Sequence, residues 1–214
     1  MFSSLISPDC KSYLITDTIT CKGSFLLYQF IQPKTILIGL AQNRNHYVTV
    51  GKKLGIQLEQ IPDFNFIDLL NQLVNDSDIS LDTILNQIKQ SLSKLSKPTV
   101  IVDDVTPLLY FGLDVIKVIT FLSELHHIVH DNGGLLVLLS HDDCPGDKDL
   151  VLLNNWISHQ METILVGFTE GVNGQLQVKR GSKSIEGKSV VEGLLLYYLT
   201  ESGVNFFTRG SNNL

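Results

Sequence analysis

Residues Tyr13–Leu27 read YLITDTITCKGSFLL. An apolar strand, YLIT, runs into a polar loop that closes on Gly-Ser, and an apolar helical segment follows. This is the layout of a phosphate loop, whose chemistry needs GxxxxGK[ST]. Its glycines turn backbone N–H groups inward as an anion nest. Its Lys neutralises the β- and γ-phosphates, and its Ser or Thr holds Mg²⁺. With Ser24 at the hydroxyl position, the Lys position holds Gly23, the second glycine position holds Lys22, and the first holds Asp17. Only Ser24 fits. Asp17 sets a carboxylate where a phosphate-facing glycine belongs, and like charges repel. Lys22 stands one residue early. The stretch reads as an ordinary strand-to-helix turn in the shape of a phosphate loop. The competing reading is a shifted Lys22 that supports weak binding.

Outward from this stretch, short apolar runs alternate with helical patterns. Tyr13–Thr16, Thr35–Leu40, Thr99–Asp103, Leu135–Ser140 and Glu162–Val166 read as strands. The first four are near-continuous apolar runs, as strands covered on both faces require. Helices are expected over Asn45–Leu54, which stops at Gly55, and over Phe66–Val74. A third spans Leu81–Ser96, with Leu81, Ile84, Leu85, Ile88, Leu92 and Leu95 on one stripe. A fourth is expected over Leu113–His130. The rhythm predicts a mostly parallel central sheet flanked by helices. The last fifty or so residues differ. Val172-Asn173-Gly174-Gln175 is a hairpin signal. Leu176–Val178, Leu194–Leu199 and Val204–Thr208 read as antiparallel strands on the sheet edge. Residues 181–189 read as a flexible loop. No composition shift marks a boundary, so one domain over residues 1–214 is expected.

Composition narrows the classes. A chain of 214 residues with 43% hydrophobic content holds a full core without staples. A net charge of −6 argues against a strongly basic nucleic-acid binder acting alone. Three cysteines, Cys10, Cys21 and Cys144, with no CxxC pair, argue against a disulfide framework or zinc cluster and for a reducing compartment. The start, MFSSLISPDCK, is not expected to be a signal peptide, and LLVLLS at 135–140 is too short to span a bilayer.

Two more strand ends carry candidate chemistry. PTVIVDDVTPLL at 98–109 ends its strand in Asp103-Asp104, like the strand whose terminal Asp holds Mg²⁺ through water in phosphoryl-transfer enzymes. The plainer reading is that Asp103 caps the next helix or satisfies strand-end backbone donors. LLVLLSH ends in Ser140-His141, where a polar side chain senses a γ-phosphate or satisfies backbone groups. His126 and His130, with His127, have i, i+4 spacing on one helix, but no acid completes a ligand set and a solvated helix end is preferred. His141-Asp142-Asp143-Cys144 is followed by Pro145-Gly146 and reads as a turn. Lys179-Arg180 with Lys183 and Lys188 is the local basic cluster, and Lys148 sits in the loop after the fourth long strand.

The chain resembles the Elongator complex subunit 6 family, which is RecA-like. GSFLL at 23–27, HYVTVGKKLG at 46–55, VDDVTPLLYFG at 102–112, LLNNWISHQ at 152–160, VNGQLQVKR at 172–180 and VNFFTRG at 204–210 carry the likeness in one order. The resemblance implies an α/β, RecA-like P-loop NTPase fold without intact Walker motifs, its antiparallel strands C-terminal. It implies no catalytic residue, cofactor or metal. It implies a hetero-hexameric ring with Elongator subunits 4 and 5, two copies of each, which joins the catalytic Elongator subcomplex. That complex modifies the wobble uridine of tRNA, with the ring binding and releasing tRNA. The cytoplasm is the expected location, with the nucleus as a second compartment. RecA-like ATPases place an acid after the second strand, whereas ILIGLAQNRNHY offers Gln42 and Asn43. Asp142–Leu150 and Val105–Gly112 become candidate pore or interface loops. Lys148, Lys179, Arg180 and Lys183 become candidates for tRNA phosphate contact. The alternative is a divergent ATP-binding or nucleotide-sensing subunit, which needs Lys22, Ser24 and Asp103 to converge.

Overall fold

Runs such as TILIG and TVIV have nowhere to sit but the middle of a layered structure, and the computed structural model places them there. It describes residues 2, 6–7, 9–18, 20–75, 80–142, 146–168, 174–179, 191–200 and 203–207. In chain order these give β1 (Ser12–Asp17), a 3-10 helix (Ser24–Phe30), β2 (Thr35–Gly39), α1 (Arg44–Lys53), β3 (Asn65–Asp68), α2 (Leu69–Asn75) and α3 (Leu81–Leu92). Then follow β4 (Thr99–Val102), α4 (Thr106–Tyr110), α5 (Val115–Asp131), β5 (Leu135–His141), α6 (Lys148–Gln160), β6 (Glu162–Phe168), β7 (Gly174–Lys179), β8 (Val191–Thr200) and β9 (Gly203–Phe207).

All nine strands join one sheet in the order β3-β2-β4-β5-β1-β6-β7-β8-β9. From β3 to β6 every pairing is parallel, and from β6 to β9 every pairing is antiparallel. The expected parallel sheet with an antiparallel C-terminal ribbon is what forms. The turn expected at 172–175 falls partly outside the described residues, and residues 181–189 lie wholly outside them. The β6–β7 register, Phe168 opposite Gly174, is that of a hairpin.

Side chains alternate between two cores because successive strand residues point to opposite faces. Leu14, Ile36, Ile38, Val100, Val102, Leu136 and Leu138 pack with the helices α3, α5 and α6. Tyr13, Ile15, Leu37, Ile101, Val137 and Leu139 face the other way, against Leu26, Leu27, Tyr28 and Phe30 of the 3-10 helix and Tyr47 of α1. The predicted stripe on α3 holds: Ile84, Leu85, Ile88 and Leu92 are buried, while Leu81 and Leu95 pack at its margin. Helix starts are capped as elementary chemistry asks, with Asn43, Ser80, Asp114 and Asp147 accepting from the first-turn N–H groups.

Three local expectations change. The helix expected over Phe66–Val74 begins as strand β3 and turns helical only at Leu69. Phe66 and Ile67 pair with Leu37 and Ile38 of β2, so sheet hydrogen bonds outweigh helical propensity there. The segment after Gly23 is a 3-10 helix of seven residues. Val105–Gly112, read as a loop, contains α4, with Pro107 in its first turn, where a missing N–H is harmless.

Candidate functional site

Parallel strands aim their C-terminal ends at the same side, and ligands of open α/β sheets bind there. In this chain β4, β5 and β1 are neighbours, and an ionisable group stands at or just past the end of each. Asp17 of β1 is the register partner of His141 of β5, and Asp104 lies two residues beyond β4. Their side chains meet. His141 Nδ1 contacts Asp17 Oδ1, and His141 Nε2 lies 2.9 Å from Asp104 Oδ2. The other oxygens are also used. Asp17 Oδ2 accepts the Gly23 N–H at 2.6 Å, and Asp104 Oδ1 accepts the Thr106 N–H at 2.8 Å as α4 starts.

Both acids are buried, and the histidine side chain keeps 22% of its exposure. The Asp104 hydrogen bond, then that of Asp17, pushes His141 from its ordinary 6.5 up to about 10, with burial opposing. At neutral pH it is an imidazolium donating from both nitrogens, which suits two acceptor-only carboxylates.

Gly23 packs against β1 and β6. A Cβ there would stand 2.9 Å from Val166 Cγ2 and 3.2 Å from Ile15 Cγ2, so only glycine fits. Within the loop, the Thr18 and Cys21 N–H groups donate to each other's carbonyls. Lys22 and Ser24 are exposed.

Asp103 serves the neighbouring strand end. Its Oδ1 accepts from Leu40 N at 2.6 Å and Ala41 N at 3.1 Å. Its Oδ2 accepts from Ala41 N, from Gln42 N at 3.2 Å and from the Tyr47 hydroxyl at 2.7 Å. A carboxylate has about four lone-pair sites, so its acceptor capacity is filled. Burial pushes Asp103 up to about 6 while these donors pull the other way. Burial first, then the Asp103 charge, pushes Tyr47 far above the phenol range. Gln42 thus contributes its backbone, and Asn43 caps α1.

Other candidates fall apart in space. The Ser140 hydroxyl donates to Asn154 Oδ1 of α6 at 2.6 Å, and Asn154 Nδ2 donates to the His141 carbonyl. His126 stacks near His127 and His130 with ring centroids 6.1 and 6.4 Å away, and burial lowers its pKa. Among the described residues no group of three or more His, Cys, Asp or Glu is placed to hold a metal, and no helix is long and apolar enough to cross a membrane. Lys148, expected in a loop, is the first residue of α6 and exposed. Lys179 is the last residue of β7. Arg180, Lys183 and Lys188, with residues 143–145, lie outside the described residues.

Sequence reasoning missed Tyr47 and the joining of Asp17, His141 and Asp104. The signal for the latter was strand order: once β5 lies between β4 and β1, the polar residues closing three apolar runs must converge.

A family model described as Elongation complex protein 6 matches residues 67–201. Elongator complex protein 6 of Xenopus tropicalis is 26% identical over 243 residues, covering 94% of this chain and 91% of that protein. The Homo sapiens protein of the same name is 25% identical over 244 residues with the same shares. That of Danio rerio is 23% identical over 252 residues, covering 96% and 94%. Among solved structures, a KaiC-like protein from the hyperthermophilic archaeon Pyrococcus horikoshii OT3 matches with a TM-score of 0.65 at 14% identity. That match covers 92% of this chain and 90% of that one. The fold is RecA-like.

Proposed function

The chain belongs to the Elongation complex protein 6 family, and from that premise we propose that it is a non-catalytic subunit of the Elongator complex. In this reading it forms a hetero-hexameric ring with Elongator subunits 4 and 5. The ring docks on the catalytic subcomplex and supports tRNA wobble-uridine modification by binding and releasing tRNA, in the cytoplasm and the nucleus.

The observation that carries the non-catalytic part is Asp103. Its oxygens are taken by three backbone N–H groups and the Tyr47 hydroxyl, so the residue placed to hold Mg²⁺ is spent on holding the loop after β2. The assembly part draws on the helices that pack beside one another on one face of the sheet. Tyr110 and Phe111 of the α4 region, Ile116 of α5 and Leu152 of α6 are all exposed, on three elements that pack together. Contiguous exposed apolar side chains mark protein contacts. Lys148, Lys179, Arg180 and Lys183 remain the proposed tRNA phosphate contacts.

Light scattering of the chain alone and mixed with Elongator subunits 4 and 5, with and without ATP, tests this. The expected result is a six-chain mass that forms without nucleotide. Failure to associate sinks the ring. Assembly only with ATP favours a nucleotide-sensing subunit instead.

A further inference from the structure

Asp17 stands where a ligand would stand. Its side chain, 1% exposed, takes the Gly23 N–H on one oxygen and the His141 ring on the other. Without that carboxylate, one backbone N–H and one imidazolium N–H would converge on a small closed space beside a positive charge. That is a donor set for an anion. Its size is limited. The Gly23 backbone lies against Val166 and Ile15, and the Thr18 and Cys21 amides are spent on their own turn. A phosphate needs several inward-pointing N–H groups to cradle it, and among the described residues the backbone N–H donating to this carboxylate is that of Gly23.

We propose that this is an anion site sized for a carboxylate, and that the chain occupies it with its own Asp17, tying the ends of β1, β4 and β5 together without an external ligand. Asp17 plays the anion to Gly23, and His141 plays the cation that a phosphate-loop Lys would supply. Asp104 anchors that cation from the far side and starts α4 through Thr106. This tie lies within the chain's own fold and stands apart from ring assembly.

Chemical rescue tests it. In the full chain, Asp17→Ala removes the built-in ligand and leaves room for formate. Its Tm should fall roughly 6–12 °C below wild type, because one partner of a buried ion pair is lost. Formate at constant ionic strength should raise the variant's Tm with saturation and leave wild type unmoved. Phosphate and ATP should raise it less. A variant indifferent to formate, or a wild type that responds equally, overturns the proposal. So does better rescue by phosphate or ATP, which would make this a phosphate site. If Asp17→Ala does not fold, nitrogen NMR of His141 in wild type decides. Both ring nitrogens protonated at neutral pH is the expected result, and a neutral ring overturns the assignment.

Discussion

Asp17 and His141 are register partners on adjacent parallel strands, and their side chains join at the strand ends with the histidine as the cation. The pairing has a pH signature. His141 is raised from 6.5 to about 10, first by Asp104 and then by Asp17. Its contribution to stability is therefore fully present below 6.5 and is lost as pH rises towards about 10. Denaturant midpoints of wild type should fall across that window, while those of His141→Gln should be lower at neutral pH and flatter above it. Among the described residues the charged groups set against the ring are Asp17 and Asp104. Equal slopes for both chains would contradict the pairing.

The Asp103 network gives a separate window. Its folded value is raised to about 6, so its contribution is present in acid and is lost as pH rises through that value. Tyr47→Phe removes one donor from this buried carboxylate. The expected cost is about 2 kcal/mol in urea denaturation at neutral pH, the range for a hydrogen bond to a charged group. A change under a few tenths would mean that the three amides suffice.

Gly23→Ala should destabilise by about 1–3 kcal/mol, the usual cost of forcing an extra methyl into a packed site. The new Cβ would meet Val166 Cγ2 at 2.9 Å and the Asp17 Cβ at 3.2 Å, so it also pushes on the ion pair. Thermal denaturation of the variant, alone and with Val166→Ala, checks this. Partial recovery in the double variant is the expected result.

Phe111→Asp with Ile116→Asp should leave the fold intact and weaken assembly with Elongator subunits 4 and 5 at least tenfold, read as a concentration shift in light scattering. Both side chains are exposed, so the monomer's circular dichroism and Tm should hold. Assembly at wild-type concentration would move the interface away from α4.

The central strands were legible because β1, β2, β4 and β5 are covered on both faces and leave uninterrupted apolar runs. β3 was not, because its four residues form a sheet edge whose inner face shows a single buried side chain, Ile67. The Leu69–Leu70 helix start beside it dominates the local pattern. The site was half legible. The misfit of Asp17 to a phosphate loop is visible in the sequence. Its partner is not, since Asp17 and His141 meet only once β5 is inserted between β4 and β1. Tyr47 was hidden for a related reason: its aromatic body joins the core through Tyr28 and Phe66, while its hydroxyl alone reaches Asp103.

The strand order also has a consequence for synthesis. β1 is made before every other strand of this sheet, yet both of its neighbours, β5 and β6, begin at Leu135 or later. The peptide YLIT leaves the ribosome many seconds before either partner at about 5–20 residues per second. Meanwhile β2, β3 and β4 can pair among themselves, so the nascent chain carries an unclaimed apolar strand ahead of a partly built sheet. The last step of building the parallel part of the sheet is then the return of β1 into a slot between two newly made strands. An arrest-peptide force profile should accordingly show its strongest pull only after β6 has emerged.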